Sequence, residues 1–220
     1  MLIRVNARAR RLTFRTKEDA IHVTVPSGTT LAAVKRAIEE LRPRLRAARQ
    51  KRVRPLIDLD YRMDTEFFKL SFVSGERETF LSRSELGETQ IVCPPQADFS
   101  DPALQAWLRK VIEEALRRNA KIILPPRLYM LSQKHGLPYQ RVRINSSNGR
   151  WGSCSSCGNI NLSYYLVLLP KHLIDYVLLH ELAHTREMNH GERFWALLDE
   201  LTEGKSQQLQ EELKQYRTDF

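Results

Sequence analysis

Pro170-Lys171-His172-Leu173-Ile174-Asp175-Tyr176-Val177-Leu178-Leu179-His180-Glu181-Leu182-Ala183-His184-Thr185 is the stretch on which the fold turns. Proline is favoured as the opening residue of a helix, because its missing N–H has no intrahelical partner there anyway. The apolar positions Ile174, Val177, Leu178, Leu179, Leu182 and Ala183 then run nearly all round the helix, as expected of one that is buried. Into this apolar cylinder are set His180, Glu181 and His184. Two imidazoles and a carboxylate are costly to bury unless they share a partner.

Four residues is about one helical turn, so His180 and His184 leave the same face, and Glu181 is rotated off it. Neutral imidazoles at that spacing suit Zn²⁺, whose catalytic sites use three protein ligands and keep one position open. Glu181 then reaches a water on the ion rather than the ion itself, and takes a proton that the metal has made acidic. A third histidine, His190, follows His184 after five intervening residues, and a chain that turns back over Met188–Gly191 brings it to the same ion. His172, near the start of the helix, reads as a surface residue, and His22 and His135 read as structural.

Working outward, Trp151–Ser153 and Asn159–Leu162 flank the turn Cys154-Ser155-Ser156-Cys157-Gly158 and form a hairpin, preceded by a short strand at Arg141–Asn145. After the helix, Gly191 separates it from a second apolar pattern, Phe194, Leu197, Leu198 and Leu201. Trp151, Phe194 and Trp195 read as core residues. Upstream, the stripe from Leu104 to Leu116 predicts a helix. Leu124–His135 predicts another, entered through Pro125-Pro126 and stopped at Gly136. The first hundred residues predict a hairpin of Arg11–Thr16 and Ala20–Val25 across Lys17-Glu18-Asp19. A helix follows from a Thr29 or Thr30 cap to about Leu41–Leu45, ended, bent or restarted at Pro43. Further strands are expected at Phe67–Val73, Glu78–Leu81 and Gln90–Val92. Cys93-Pro94-Pro95 closes this region and Gln96–Asp101 reads as a linker.

The chain has 220 residues, 42% of them apolar, enough for a core. The longest apolar runs, Tyr164–Leu169 and Tyr176–Leu179, fall far short of the ~18 residues a membrane span needs. The opening Met-Leu-Ile-Arg-Val-Asn-Ala-Arg lacks the apolar stretch of a secretory signal, so a cytoplasmic protein without membrane partners is expected. Cys93, Cys154 and Cys157 are too few for a disulfide framework and fit a reducing compartment. The Cys154/Cys157 pair has no second Cys/His pair nearby to complete a closed zinc site, and it sits in a turn rather than at the helix start a redox motif uses. Of the net +9, residues 1–54 carry fifteen basic against four acidic side chains, a local +11, which leaves −2 for the rest. Polyanion binding, if any, therefore belongs to that quarter.

The run Arg150-Trp151-Gly152-Ser153-Cys154, then Gly158-Asn159-Ile160-Asn161-Leu162, then His180-Glu181-Leu182-Ala183-His184, then Asn189-His190 and Phe194-Trp195, resembles the YgjP-like family of predicted zinc-dependent hydrolases, related to the SprT-like and WLM zincin metallopeptidases. Arg8–Arg11 and Val25-Pro26-Ser27-Gly28 resemble the family's opening. The resemblance implies that His180, His184 and His190 bind one Zn²⁺, with Ni²⁺ or Co²⁺ as possible substitutes on the same ligands, and that Glu181 is the general base. The His184–His190 spacing resembles that of metzincins, with Glu187 where they have glycine, so the bend is assigned to Gly191. The implied fold is α+β: an N-terminal basic β-rich domain with one helix over residues 1–96, then a zincin-like domain over 97–220. In the second, an active-site helix lies beside a small antiparallel sheet.

By the same resemblance, the strand Asn159–Ser163 pairs with an extended substrate, which makes Asn159 and Asn161 candidate contacts. Arg150 and Arg186 are candidates to stabilise an oxyanion or hold a phosphate. Peptide hydrolysis is the leading activity. The alternative is a metal-dependent nucleoside triphosphate pyrophosphatase using the same site, its triphosphate held by the arginine-rich region. A third is a nucleic-acid-associated protein, with Arg36, Arg42, Arg46, Arg49, Lys51, Arg52 and Arg54 tracking a phosphate backbone. That region has no interleaved aromatics, so such binding is expected to be weak.

Overall fold

Val23, Val25 and Val34 form the small core of an N-terminal unit, Met1–Pro55, and a much larger core fills a second unit, Leu56–Phe220. The computed structural model describes residues 2–16, 21–50, 55–85, 87–147 and 149–216, with the backbone alone for residues 15, 16, 21 and 44–50. The turn at Lys17-Glu18-Asp19, the residues Lys51, Arg52 and Arg54, and the side chains of Arg46 and Arg49 lie outside the described residues.

In the first unit, β1 (Leu2–Val5), β2 (Thr13–Thr16) and β3 (Ile21–Val25) form a sheet in the order β1-β3-β2. The expected hairpin is the antiparallel β2–β3 pair, and β1 adds in parallel on the other side of β3. Helix α1 spans Leu31–Gln50, and the Thr30 hydroxyl accepts from the Ala33 N–H at its start, 3.3 Å. It runs on through Pro43, at the cost of one helical hydrogen bond.

The second unit opens with β4 (Met63–Asp64), β5 (Lys69–Ser74), β6 (Leu81–Glu85) and β7 (Glu88–Cys93), in the order β4-β5-β7-β6. Alternation puts Leu70 and Phe72 of β5, and Ile91 and Cys93 of β7, on one buried face. That face packs with Leu108, Ile112, Leu116, Leu173 and Ile174 in a single core. The compact units therefore divide after Pro55 and not after residue 96. Gln96–Asp101 has the composition of a linker because it is a surface turn. The Gln105 side chain ties it to the preceding segment, donating to the carbonyls of Ile57 (2.7 Å) and Phe99 (2.9 Å).

Helix α2 runs unbroken over Pro102–His135, where two helices were expected. Asp101 caps its start and Gly136, at φ 60°, its end. Pro125-Pro126 lies inside it because Leu116, Ala120, Leu124, Leu128 and Leu131 keep one face buried across the break. Then come β8 (Arg141–Asn145), β9 (Gly152–Cys154), β10 (Asn159–Ser163), a 3₁₀ turn (Tyr164–Leu168), and the helices α3 (Lys171–Ala183), α4 (Glu192–Leu201) and α5 (Ser206–Leu213). The expected β9–β10 hairpin is present, but β10 also pairs with β8 in parallel, so the sheet beside α3 is mixed and not purely antiparallel. The fold class is α+β. Among the described residues no helix is long and apolar enough to cross a membrane.

Candidate metal centre

The site is built on α3, whose N-terminal part is held by the segment before β5 and by α2. At its N-terminus the Glu66 carboxylate accepts from the Lys171 N–H at 3.1 Å, which satisfies a free amide and complements the helix dipole. The Thr65 hydroxyl donates to the Val167 carbonyl at 3.1 Å just before it. Arg127 of α2 pairs with Asp175 in a partly buried two-point contact. Eight apolar residues of α3 are buried, including Leu178, Leu179 and Leu182 that bracket the motif. His180 and Glu181 thus sit on a backbone with little freedom. His172 is exposed and pairs with Glu212 at 2.7 Å, a surface role as expected.

The helix stops at His184, and the chain reverses through Thr185–Gly191. Bonds from the Thr185 amide to Leu182 and from the Arg186 and Glu187 amides to Ala183 close the last turn. The Gly191 N–H donates to the Asn189 carbonyl at 2.7 Å, a tight three-residue turn with His190 at its centre. Gly191 itself has φ −84°, open to any residue, and space around its Cβ position. The bend expected of glycine is made by that hydrogen bond instead.

The turn brings the third imidazole to the other two. One ring nitrogen from each of His180, His184 and His190 lies within 4.8 Å of the others, and the His180 and His190 Nε2 atoms are 3.1 Å apart. Two nitrogens on one tetrahedral ion, at bond lengths of ~2.05 Å, would be about 3.3 Å apart. The His184 Nδ1 is 3.1 Å from the Glu187 carbonyl. A carbonyl only accepts, so Nδ1 carries the proton and Nε2 keeps its lone pair, the second partner a metal-bound histidine commonly has. Burial, with His184 and His190 alongside, lowers the His180 imidazole to about 3, so it is neutral at physiological pH. Burial is also the main cause lowering His184. The donor set fits a divalent cation of the Zn²⁺ class.

Under the three rings lies Phe194, fully buried, with its centroid 4.9, 4.5 and 4.6 Å from those of His180, His184 and His190. Glu181 is only 5% exposed, and its Oε2 has no hydrogen-bond partner. Desolvation pushes its carboxyl up to about 8, against a smaller lowering by Arg150. Gly152 of β9 lies directly against it. A Cβ there would stand 2.6 Å from the Glu181 Oε1 and 2.7 Å from its Cγ, closer than any real contact.

Arg150 is the candidate substrate residue whose charge acts on Glu181. Asn159 and Asn161 are placed differently. Directly paired residues share a face of the sheet. Gly152 pairs with Leu162 and Cys154 with Ile160, whose side chains are buried in the core on the α3 side. Asn161 pairs with Ser153 and Arg143, so it and Asn159 lie on the opposite face. Nor is β10 free to take another strand, since β8 and β9 flank it. Arg186 donates to the Gly136 carbonyl at 3.0 Å, which ties the return segment to the end of α2. Trp151 packs half-buried on the core, as expected. Gly152, Phe194 and Trp195 are the site residues that spacing alone missed. A glycine inside a strand pattern is the usual sign of a close approach, and Gly152 is one.

A family model for the YgjP-like metallopeptidase domain matches residues 10–216. The chain belongs to the YgjP-like family. Membership makes it a metallopeptidase-type, metal-dependent hydrolase domain, and the three imidazoles are the cluster among the described residues able to hold an ion. No curated protein matches the chain. Among solved structures it is similar to the crystal structure of the metallopeptidase zymogen of Pyrococcus abyssi abylysin. The two are 21% identical over 42% of this chain and 93% of that one, at a TM-score of 0.39, too loose to establish a common fold.

Proposed function

We propose that this YgjP-like chain is a zinc-dependent metallopeptidase in which His180, His184 and His190 hold the ion and Glu181 is the general base. The observation that carries the reading is a buried carboxylate whose Oε2 has no hydrogen-bond partner, next along the helix from a cluster of three imidazoles. Zn²⁺ held there would supply Lewis acidity toward a scissile carbonyl and make water acidic. Glu181 would take the attacking water's proton at its carboxylate, hold it in a site of low polarity, and return it to the leaving nitrogen. Burial raises that carboxyl's affinity for the proton it takes up. Arg150 limits the rise of that carboxyl and is the cation we assign to developing negative charge.

The substrate's main chain is assigned to β9. Among the described residues β9 pairs with β10 alone, and it passes against Glu181. An extended peptide added along its outer edge puts a carbonyl beside the base. This favours peptide over nucleoside triphosphate, as does the engagement of Arg186 by Gly136, which removes one phosphate contact. The test is the purified protein with zinc restored, offered casein and the four common nucleoside triphosphates. Chelator-sensitive cleavage of casein is expected, and hydrolysis of triphosphates alone would replace the peptidase reading.

Residues 1–54 carry the local +11 within the separate unit Met1–Pro55, and weak contact of that unit with nucleic acid is part of the proposal. Its log affinity should fall with log salt by about 0.9 per phosphate neutralised, while peptide cleavage stays unaffected by DNA. The three free cysteines support a reducing, cytoplasmic setting.

A further inference from the structure

We infer that Trp195 is a positioning residue for the metal centre, acting by clamping the backbone of His190. The inference rests on the metal-site reading. It concerns how an exposed segment delivers its ligand. His180 and His184 are held by α3, whereas His190 and its neighbours Met188, Asn189 and Gly191 are exposed. Such a segment orders its backbone at a cost of about 1–2 kcal/mol per residue unless something fixes it. Trp195 is what reaches it. Its indole N–H donates to the His190 carbonyl at 3.2 Å, and its backbone N–H donates to the Gly191 carbonyl at 3.2 Å. The indole ring lies 5.9 Å from the His190 ring and 5.4 Å edge-on from Phe194. Phe194, Leu198 and Leu201 anchor α4 in the core. The clamp therefore hangs from a buried helix face, and the indole N–H spends its bond on the ligand's own peptide group.

Trp195→Phe removes the donor and keeps an aromatic ring. Zinc affinity, read by competition with a chromophoric chelator, is expected to fall about 10–100-fold, the usual cost of losing a partner that orients a ligand. The loss should vanish in a His190→Ala background, because the clamp acts only through that residue. The visible spectrum of the Co²⁺-loaded protein should shift in Trp195→Phe and be the same in His190→Ala and the double variant. Affinity within twofold of the parent, or an equal loss in both backgrounds, overturns the inference. If His190→Ala alone leaves zinc affinity intact, the failure is instead that of the three-histidine reading. Should Trp195→Phe not fold, hydrogen exchange of the indole N–H in the unaltered protein decides. Slow exchange that slows further on adding Zn²⁺ supports the clamp, and exchange at the solvent rate with zinc bound refutes it.

Discussion

The two halves of the metal centre are built differently. α3 presents His180, Glu181 and His184 from a buried helix capped by Glu66 and pinned by Arg127. The segment Thr185–Gly191 presents His190 from the surface, held by a tight turn, the Trp195 indole and the Arg186 tie to Gly136. The first half owes its geometry to packing, which is cooperative and hard to perturb by one exposed change. The second owes it to a few individual hydrogen bonds, each removable by a single substitution. Loss of metal should therefore have two distinct profiles, one coupled to the fold and one not.

His184→Ala removes a ligand from the rigid half, and zinc affinity should fall by more than the ~100-fold that a supporting partner's loss costs. Equilibrium dialysis against zinc measures it. His190→Ala should lose metal as well, but with the unfolding midpoint of the metal-free protein unchanged, since the side chain it deletes is exposed. A shared drop in metal-free stability would erase the distinction between the halves.

Gly152→Ala attacks the rigid half from the sheet. Its methyl would overlap the Glu181 carboxyl, so either β9 or the base must move. Overpacking of this kind costs about 1–3 kcal/mol, read as a lowered unfolding midpoint, and activity should fall while zinc content holds. Glu66→Ala should cost about 1 kcal/mol through the uncapped α3 amide and leave zinc affinity nearly unchanged. Arg186→Ala, which frees one exposed tie, should change stability by no more than a few tenths of a kcal/mol and weaken zinc binding slightly.

What could be read from sequence follows the range of the interactions. The helix around His180 and His184, the β9–β10 hairpin and the return of His190 all depend on neighbours within about ten residues, so spacing and turn residues revealed them. The parallel β8–β10 pairing, which makes β10 central and moves the candidate peptide edge to β9, joins strands through an intervening segment that leaves no local signature. The same holds for Arg186, whose partner Gly136 lies fifty residues away. Pro125-Pro126 looked like a helix boundary because local rules weigh the lost amides and not the buried stripe continuing beyond them. Residues 56–96 read as part of an N-terminal domain because they are strand-like, as are the residues before them, and the linker-like Gln96–Asp101 follows them. Their apolar faces, which Leu108 and Leu173 cover, assign them to the second unit.

The central claim is that Glu181 is the base of a metal-dependent hydrolysis, and the most direct test compares Glu181→Gln with the parent after both are loaded with one equivalent of zinc. Zinc content and unfolding midpoint should match or exceed those of the parent, because the amide removes a buried acid without enlarging the side chain. Peptide cleavage should fall about 10²–10⁴-fold, the contribution of one positioned base. Full cleavage by a zinc-loaded Glu181→Gln protein would contradict the claim.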